Sequence, residues 1–146
     1  MIVCIDTNVL LQAAKSGHPY EIIILEWLNR RYRWAVSTSI LAEYRELIRL
    51  RSGARRWHEL EQVFDLADRL GDLLIHCTPH YQFHVVTADP DDNKFTDCAI
   101  TADADYVITD DGHFAPLANA GYKPQPISPK KFIGRHLPAR QTPPGT

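Results

Sequence analysis

Four acidic residues stand where an alternating fold would gather them: Asp6, Glu43, Asp97 and Asp111. Asp6 follows the apolar run MIVCI, and Asp111 follows YVITD. Asp97 opens a helical stretch just after the acidic turn DPDD, and Glu43 lies in the first turns of a helical pattern starting near Ser39. Carboxylates crowded together raise one another's pKa unless a cation offsets them. Oxygen-only ligands suit Mg²⁺ or Mn²⁺, which favour octahedral geometry and keep several waters. Ions held this way activate water and stabilise charge on a phosphodiester, and paired ions sit roughly 3.5–4 Å apart to clamp the attacking and leaving oxygens. Each acid taken singly has a plainer reading. Asp is favoured in turns and at helix N-caps, and Glu43 alone is an ordinary solvated helix residue. The chemistry rests on joint placement.

The elements that would position these acids follow from periodicity. Ile2 to Ile5 is a short apolar run rich in β-branched residues, expected as a strand buried on both faces of a parallel sheet. Thr7 is a candidate cap for a helix through Asn8–Ala14, and Pro19 suits the first turn of a longer helix carrying Ile22, Ile23, Leu25 and Leu28. Trp34–Val36 reads as a second strand. Ser39 is the expected N-cap of a helix whose apolar face is Ile40, Leu41, Tyr44, Leu47 and Ile48. Gly53 breaks that helix, and another runs from Trp57 to a stop at Gly71. Phe83–Thr87 is expected as a strand, followed by the turn ADPDDN and a helix around Asp97–Ala104. Tyr106–Thr109 is a further strand, ending at Asp110 and Asp111. Pro126–Ile127 reads as an edge strand, with Ser128 and Pro129 starting a last helix. Strands alternating with helices predict an α/β fold: a mostly parallel central sheet flanked by helices. Ligands bind outside the carboxyl ends of such strands.

The 146 residues suit one domain, read as 1–137, with a flexible polar and Pro-rich tail at 138–146. Hydrophobic residues at 45% and charged residues at 23% are ordinary for a soluble globular chain. A net charge of −2 gives no global attraction to nucleic acid, so any such binding must come from a local basic patch or from metal ions. The three cysteines are an odd number without a CxxC, and Cys4 and Cys98 read as small buried hydrophobes. A reducing, cytoplasmic compartment is expected. No signal peptide or membrane span is expected from the opening MIVCID or from any long apolar stretch.

Several segments together resemble the PIN-domain family. IVCIDTNVLL is similar to the family's opening strand and Asp-Thr-Asn turn, SILAEYRELI to its second acidic segment, and DPDDNKFTDCAITADADYVITDDGHF to its third and fourth in one block. PISPKKFI resembles the final strand and helix of one subgroup, the VapC-like toxins of toxin–antitoxin pairs. The matches span residues 2 to about 133. The resemblance implies a three-layer PIN-like fold and a Mg²⁺- or Mn²⁺-dependent endoribonuclease, held inactive by a cognate antitoxin and forming a homodimer. It places the catalytic and metal-binding acids at Asp6, Glu43, Asp97 and Asp111. The subgroup's extra acid falls on Asp92. Asp111 is preferred over Asp110 because the family's acid stands two residues after the strand threonine, here Thr109. Hydrolysis in line at phosphorus would leave a 5′-phosphate and a 3′-hydroxyl. Asp6 and Asp97 are the candidates for direct metal contact. Glu43 and Asp111 would bind a second ion or orient the waters around the first. Thr7 and Asn8 would position Asp6 or a substrate phosphate.

A carboxylate cluster repels phosphate, so an RNA substrate needs a basic rim. Arg45, Arg49, Arg51, Arg55 and Arg56 crowd one stretch with only Glu46 opposing them, and Lys94 lies beside the acidic turn. Arg30, Arg31 and Arg33 form another group. Singly, each is as well explained as solvated surface. His76, Cys77, His80 and His84 fit no common zinc spacing. Nucleotide-binding glycine loops and the second acid of a dehalogenase-type phosphatase are absent. The alternative from another class is a non-catalytic PIN-fold module that binds RNA or protein. The completeness of the acids separates it from the enzyme.

Overall fold

The computed structural model describes residues 1–80, 83, 85, 86 and 90–139. Strand β1 (Ile2–Ile5) leads into α1 (Thr7–Ala13) and α2 (Glu21–Leu28), then β2 (Arg33–Ser37). A helical hairpin, α3 (Thr38–Ser52) and α4 (Ala54–Leu70), connects to β3 (Leu74–Cys77). A 3-10 turn (Pro90–Asp92) precedes α5 (Asn93–Thr101) and β4 (Tyr106–Ile108). A second 3-10 turn (Gly112–Phe114), α6 (Ala115–Asn119), β5 (Gln125–Ile127) and α7 (Pro129–His136) complete the order. The strands form one sheet in the order β3-β2-β1-β4-β5, with all four pairings parallel. This is the expected three-layer α/β architecture.

β1 is the centre of the sheet, and Val3, Cys4 and Ile5 are wholly buried there. The chain moves outward from β1 through β2 to β3, then returns to pair β4 with the opposite side of β1. That reversal between β1 and β4 is a topological switch point, where open parallel sheets leave a crevice at their carboxyl ends.

Aromatic packing fastens the helices to this sheet. Trp27 of α2 meets Trp34 of β2 edge-on at 4.9 Å, and Phe64 of α4 meets Trp34 at 5.1 Å. Two polar tips within this apolar layer find partners, as buried groups generally must, whereas the buried Trp34 Nε1 has none among the described residues. Trp27 Nε1 donates to the Leu73 carbonyl at 2.8 Å. Tyr44 of α3, fully buried, donates its hydroxyl to the carbonyl of Ile5. That bond ties α3 to the last residue of β1. Gly53, at φ 94° between α3 and α4, takes a backbone conformation that a side chain would strain, which allows the hairpin's sharp break.

Some element boundaries differ from those read in the sequence, each for a local reason. The α3 cap is Ser37, whose hydroxyl accepts from Ile40 N–H, and Ser39 instead hydrogen-bonds the Ser37 hydroxyl. In the segment Ser37-Thr38-Ser39, the strand hands over directly to the helix. Asp6, not Thr7, occupies the N-cap position of α1, and Thr7 lies within the helix. Pro19 precedes the N-cap Tyr20 of α2 and does not sit in its first turn. The α5 helix begins at Asn93 and ends at Thr101, earlier than read.

The largest correction concerns the third strand, which is Leu74–Cys77 and not Phe83–Thr87. Phe83, Val85 and Val86 carry no strand structure, and Thr87 lies outside the described residues. Side chains take up this segment's backbone groups instead. Asn93 clamps Val86 from both sides, accepting its N–H at 2.8 Å and donating to its carbonyl at 2.9 Å. Asp97 Oδ1 accepts the Phe83 N–H at 3.0 Å. Most of the tail expected at 138–146 lies outside the described residues.

Candidate functional site

The crevice at the switch point is built from both of its flanking strands. Asp6 leaves β1 with its N–H bonded to the Ile108 carbonyl of β4 at 3.0 Å, so its position is fixed by the sheet. Thr109, the next residue of the β4 run, donates its hydroxyl to Asp6 Oδ2 at 2.8 Å. The same hydroxyl oxygen accepts the Asp111 N–H at 2.9 Å. One threonine therefore sets the Asp6 carboxylate and the backbone that presents Asp111.

Glu43 arrives from α3, anchored one residue away by Tyr44. Thr7 donates its hydroxyl to Glu43 Oε2, and Lys94 Nζ lies 3.0 Å from Glu43 Oε1. Asp6 is only 4% exposed. Its burial pushes the carboxyl up from an ordinary 3.8 to about 6. Hydrogen bonds from Thr109 and the Thr7 backbone oppose that rise, and the negative charges of Asp111 and Glu43 add to it. Glu43 and Asp111 thus both act on Asp6 electrostatically. A cation would relieve this set of like charges.

A second grouping lies beside it. Ligand atoms of Asp92, Asp111 and His113 all fall within 4.8 Å of one another. Asp111 also accepts the His113 N–H at 2.9 Å, capping the Gly112–Phe114 turn, while Phe114 is wholly buried beneath. Sequence reasoning does not single out His113. Its signal is the two-residue spacing from Asp111 within DDGHF, a capping turn that brings the ring back over the acid.

The other expected residues take mixed positions. Asp97 is buried on α5, and one of its oxygens is engaged with Phe83. Lys94, expected at a phosphate, neutralises Glu43. Asn8 is exposed and accepts from Arg51 at 3.5 Å. Arg45 and Arg49 are both exposed on α3. Arg55 and Arg56 pair with Glu59 at 3.4 and 3.6 Å, an acid the expected rim had not counted. Arg30 is spent on the carbonyls of Leu70 and Gly71, and Arg31 on Glu26. Asp110 is exposed. Among the described residues His76, Cys77 and His80 form no metal-ligating group, and His84 lies outside them. No helix among the described residues is long and apolar enough to cross a membrane.

A solved structure of VapBC2 from Rickettsia felis, bound to a DNA fragment from the promoter, matches with a TM-score of 0.53 at 18% identity, covering 82% of this chain and 95% of that one. At that identity the likeness speaks to the fold. No curated protein matches. The sequence model of the PIN domain matches residues 2–113, from β1 through the Asp111 turn, and this chain belongs to the PIN-domain family.

Proposed function

We propose that this chain is a metal-dependent endoribonuclease and the toxin of a toxin–antitoxin pair. The observation that carries the enzyme reading is the convergence of Asp6, Glu43 and Asp111 at the switch point. Burial first, and the two neighbouring charges after it, raise the Asp6 pKa to about 6. Two half-buried charges beside a buried carboxylate are costly without a cation, so their placement in one crevice points to function rather than to packing.

The donor chemistry fits Mg²⁺ or Mn²⁺: carboxylate oxygens dominate, and the exposed side of the crevice leaves room for water. Asp6, Asp97 and Asp111 are the residues to hold the ion, with Asp92 and Glu43 completing or supporting the set. When bound, the ion supplies the positive charge that polarises water and offsets charge on the phosphodiester. Thr109 holds Asp6 and the Asp111 backbone in register. Thr7 and Lys94 fix Glu43, and Lys94 keeps that carboxylate's charge partly offset. Arg45, Arg49 and Arg51 are the cations placed to approach an RNA backbone, with Asn8 between Arg51 and the site. Hydrolysis adds water across the P–O3′ bond, leaving a 5′-phosphate and a 3′-hydroxyl.

The toxin reading is supported by the subgroup's sequence pattern and by the likeness to the VapBC2 structure. It implies a cognate antitoxin as partner, a homodimer, and a cytoplasmic site of action. The test is cleavage of labelled single-stranded RNA with Mn²⁺, Mg²⁺ or EDTA, comparing wild type with Asp6→Asn. Metal-dependent cleavage lost in the variant is the expected result. Folded, metal-saturated wild type that cuts none of several RNAs would favour the non-catalytic binding module instead.

A further inference from the structure

We propose that His113 is a metal ligand, and that with Asp92 and Asp111 it forms a mixed nitrogen–oxygen site selecting a first-row transition dication over Mg²⁺. The inference rests on the carboxylate–metal reading above and adds to it the donor that decides which ion binds. His113 Nδ1 lies 3.3 Å from Asp111 Oδ1 and 3.4 Å from Asp92 Oδ2. Adjacent ligands of an octahedral ion with bonds near 2.1 Å stand about 3.0 Å apart. A few tenths of an ångström of closure would bring the ring nitrogen to that spacing from each carboxylate, and the carboxylate oxygens, within 4.8 Å of one another, would close further to share one face of such an octahedron.

The local structure holds this face open to an ion. Asp111 is fixed by its capping bond to the His113 N–H and by the Thr109 hydroxyl behind its own N–H. Asp92 ends the 3-10 turn that starts α5. The His113 side chain is 45% exposed, so an ion and its waters can reach the ring, whereas the Asp92 side chain is 15% exposed and backs the site. Without an ion, Nδ1 would donate to Asp92 in the tautomer that carries the proton there, and with a cation bound at Nδ1 the ring proton would sit on Nε2 instead.

The choice of donors has a consequence for the metal. Carboxylate and water suit Mg²⁺, whereas imidazole strengthens binding to transition ions along the Irving–Williams order. A nitrogen donor from His113 in place of one oxygen should thus raise Mn²⁺ affinity, and Co²⁺ affinity more, relative to Mg²⁺.

The experiment is Mn²⁺ titration of the full chain, read by the EPR signal of free Mn²⁺. Pulsed EPR for nitrogen coupling to the bound ion accompanies it, on wild type, His113→Gln and the surface control His58→Gln. Melting in EDTA establishes that each variant folds. The expected result is nitrogen coupling in wild type and His58→Gln, absent in His113→Gln, with Mn²⁺ affinity in that variant lower by about 10–100-fold. Mg²⁺ affinity, read by competition, should fall less. Wild type that binds Mn²⁺ without nitrogen coupling, or His113→Gln that binds it equally well, overturns the ligand assignment and leaves the carboxylate site standing. Wild type that binds no Mn²⁺ overturns both.

Discussion

Asp6→Asn should make the metal-free protein more stable at neutral pH while abolishing the proposed activity. In the folded chain the Asp6 pKa rises from 3.8 to about 6, so the folded state holds a proton that the unfolded state has lost between those values. Stability then falls as pH rises through this window, because the folded state binds more protons there. Asp6 contributes no penalty below about pH 4 and its full penalty above about pH 6. At about 1.4 kcal/mol per pKa unit, the ionised carboxylate costs roughly 3 kcal/mol. Asn has the same shape and can still accept the Thr109 hydroxyl, but it loses part of the carboxylate's bonding to N–H donors, so a net gain of about 1–3 kcal/mol is expected. For a chain of this length that is a rise of roughly 3–9 °C in Tm. The assay is thermal unfolding of both proteins in EDTA from pH 4 to 8. The variant's advantage should be largest above pH 6 and shrink towards pH 4. An Asp6→Asn variant that melts at or below wild type at pH 7, or whose advantage does not change with pH, would refute the reasoning.

Thr109→Val removes the hydroxyl that Asp6 accepts and that Asp111 N–H donates to. RNA cleavage under single-turnover conditions and Mn²⁺ affinity by calorimetry should each fall about 10–100-fold. Tyr44→Phe leaves the Ile5 carbonyl without its buried donor; urea unfolding should show a loss of about 1–3 kcal/mol with an unchanged m value. Gly53→Ala forces a side chain into φ 94°, and should lower stability by about 1–3 kcal/mol in thermal melts without altering Mn²⁺ binding.

Much of this arrangement was legible because parallel strands announce themselves. Ile2–Ile5 and Tyr106–Ile108 are largely buried on both faces, so they read as unbroken apolar runs, and the acids that follow them mark the carboxyl edge. Glu43 was different. Nothing in its own surroundings distinguishes it from Glu46, and its place depends on Tyr44 reaching the Ile5 carbonyl across a gap in sequence that no periodicity encodes. The third strand was misplaced for a related reason. Leu74–Cys77 lies at the sheet's edge, half-buried, with an exposed His76, and the apolar Phe83–Val86 run competed for the same role. What settles the competition is Asn93, a residue whose amide reads in sequence as turn chemistry and in space as a substitute strand partner.

The site and the fold are linked through the same free energy. Metal-free, the crevice carries a penalty of about 3 kcal/mol on ionised Asp6 alone. A dication bound only to the folded state, at about 100 times its dissociation constant, adds about 2.7 kcal/mol. The two are similar in size, so an ion at that excess would return what the buried carboxylates take away. On this reasoning Thr109, Thr7 and Lys94 have a second role beside positioning. They hold like charges together in the interval before an ion arrives, which is why their bonds run from both sides of the switch point and from two separate helices. Wild type should therefore gain melting temperature with Mn²⁺ and Asp6→Asn should gain little, so that the lead of the variant in EDTA largely closes when the ion is added at that excess.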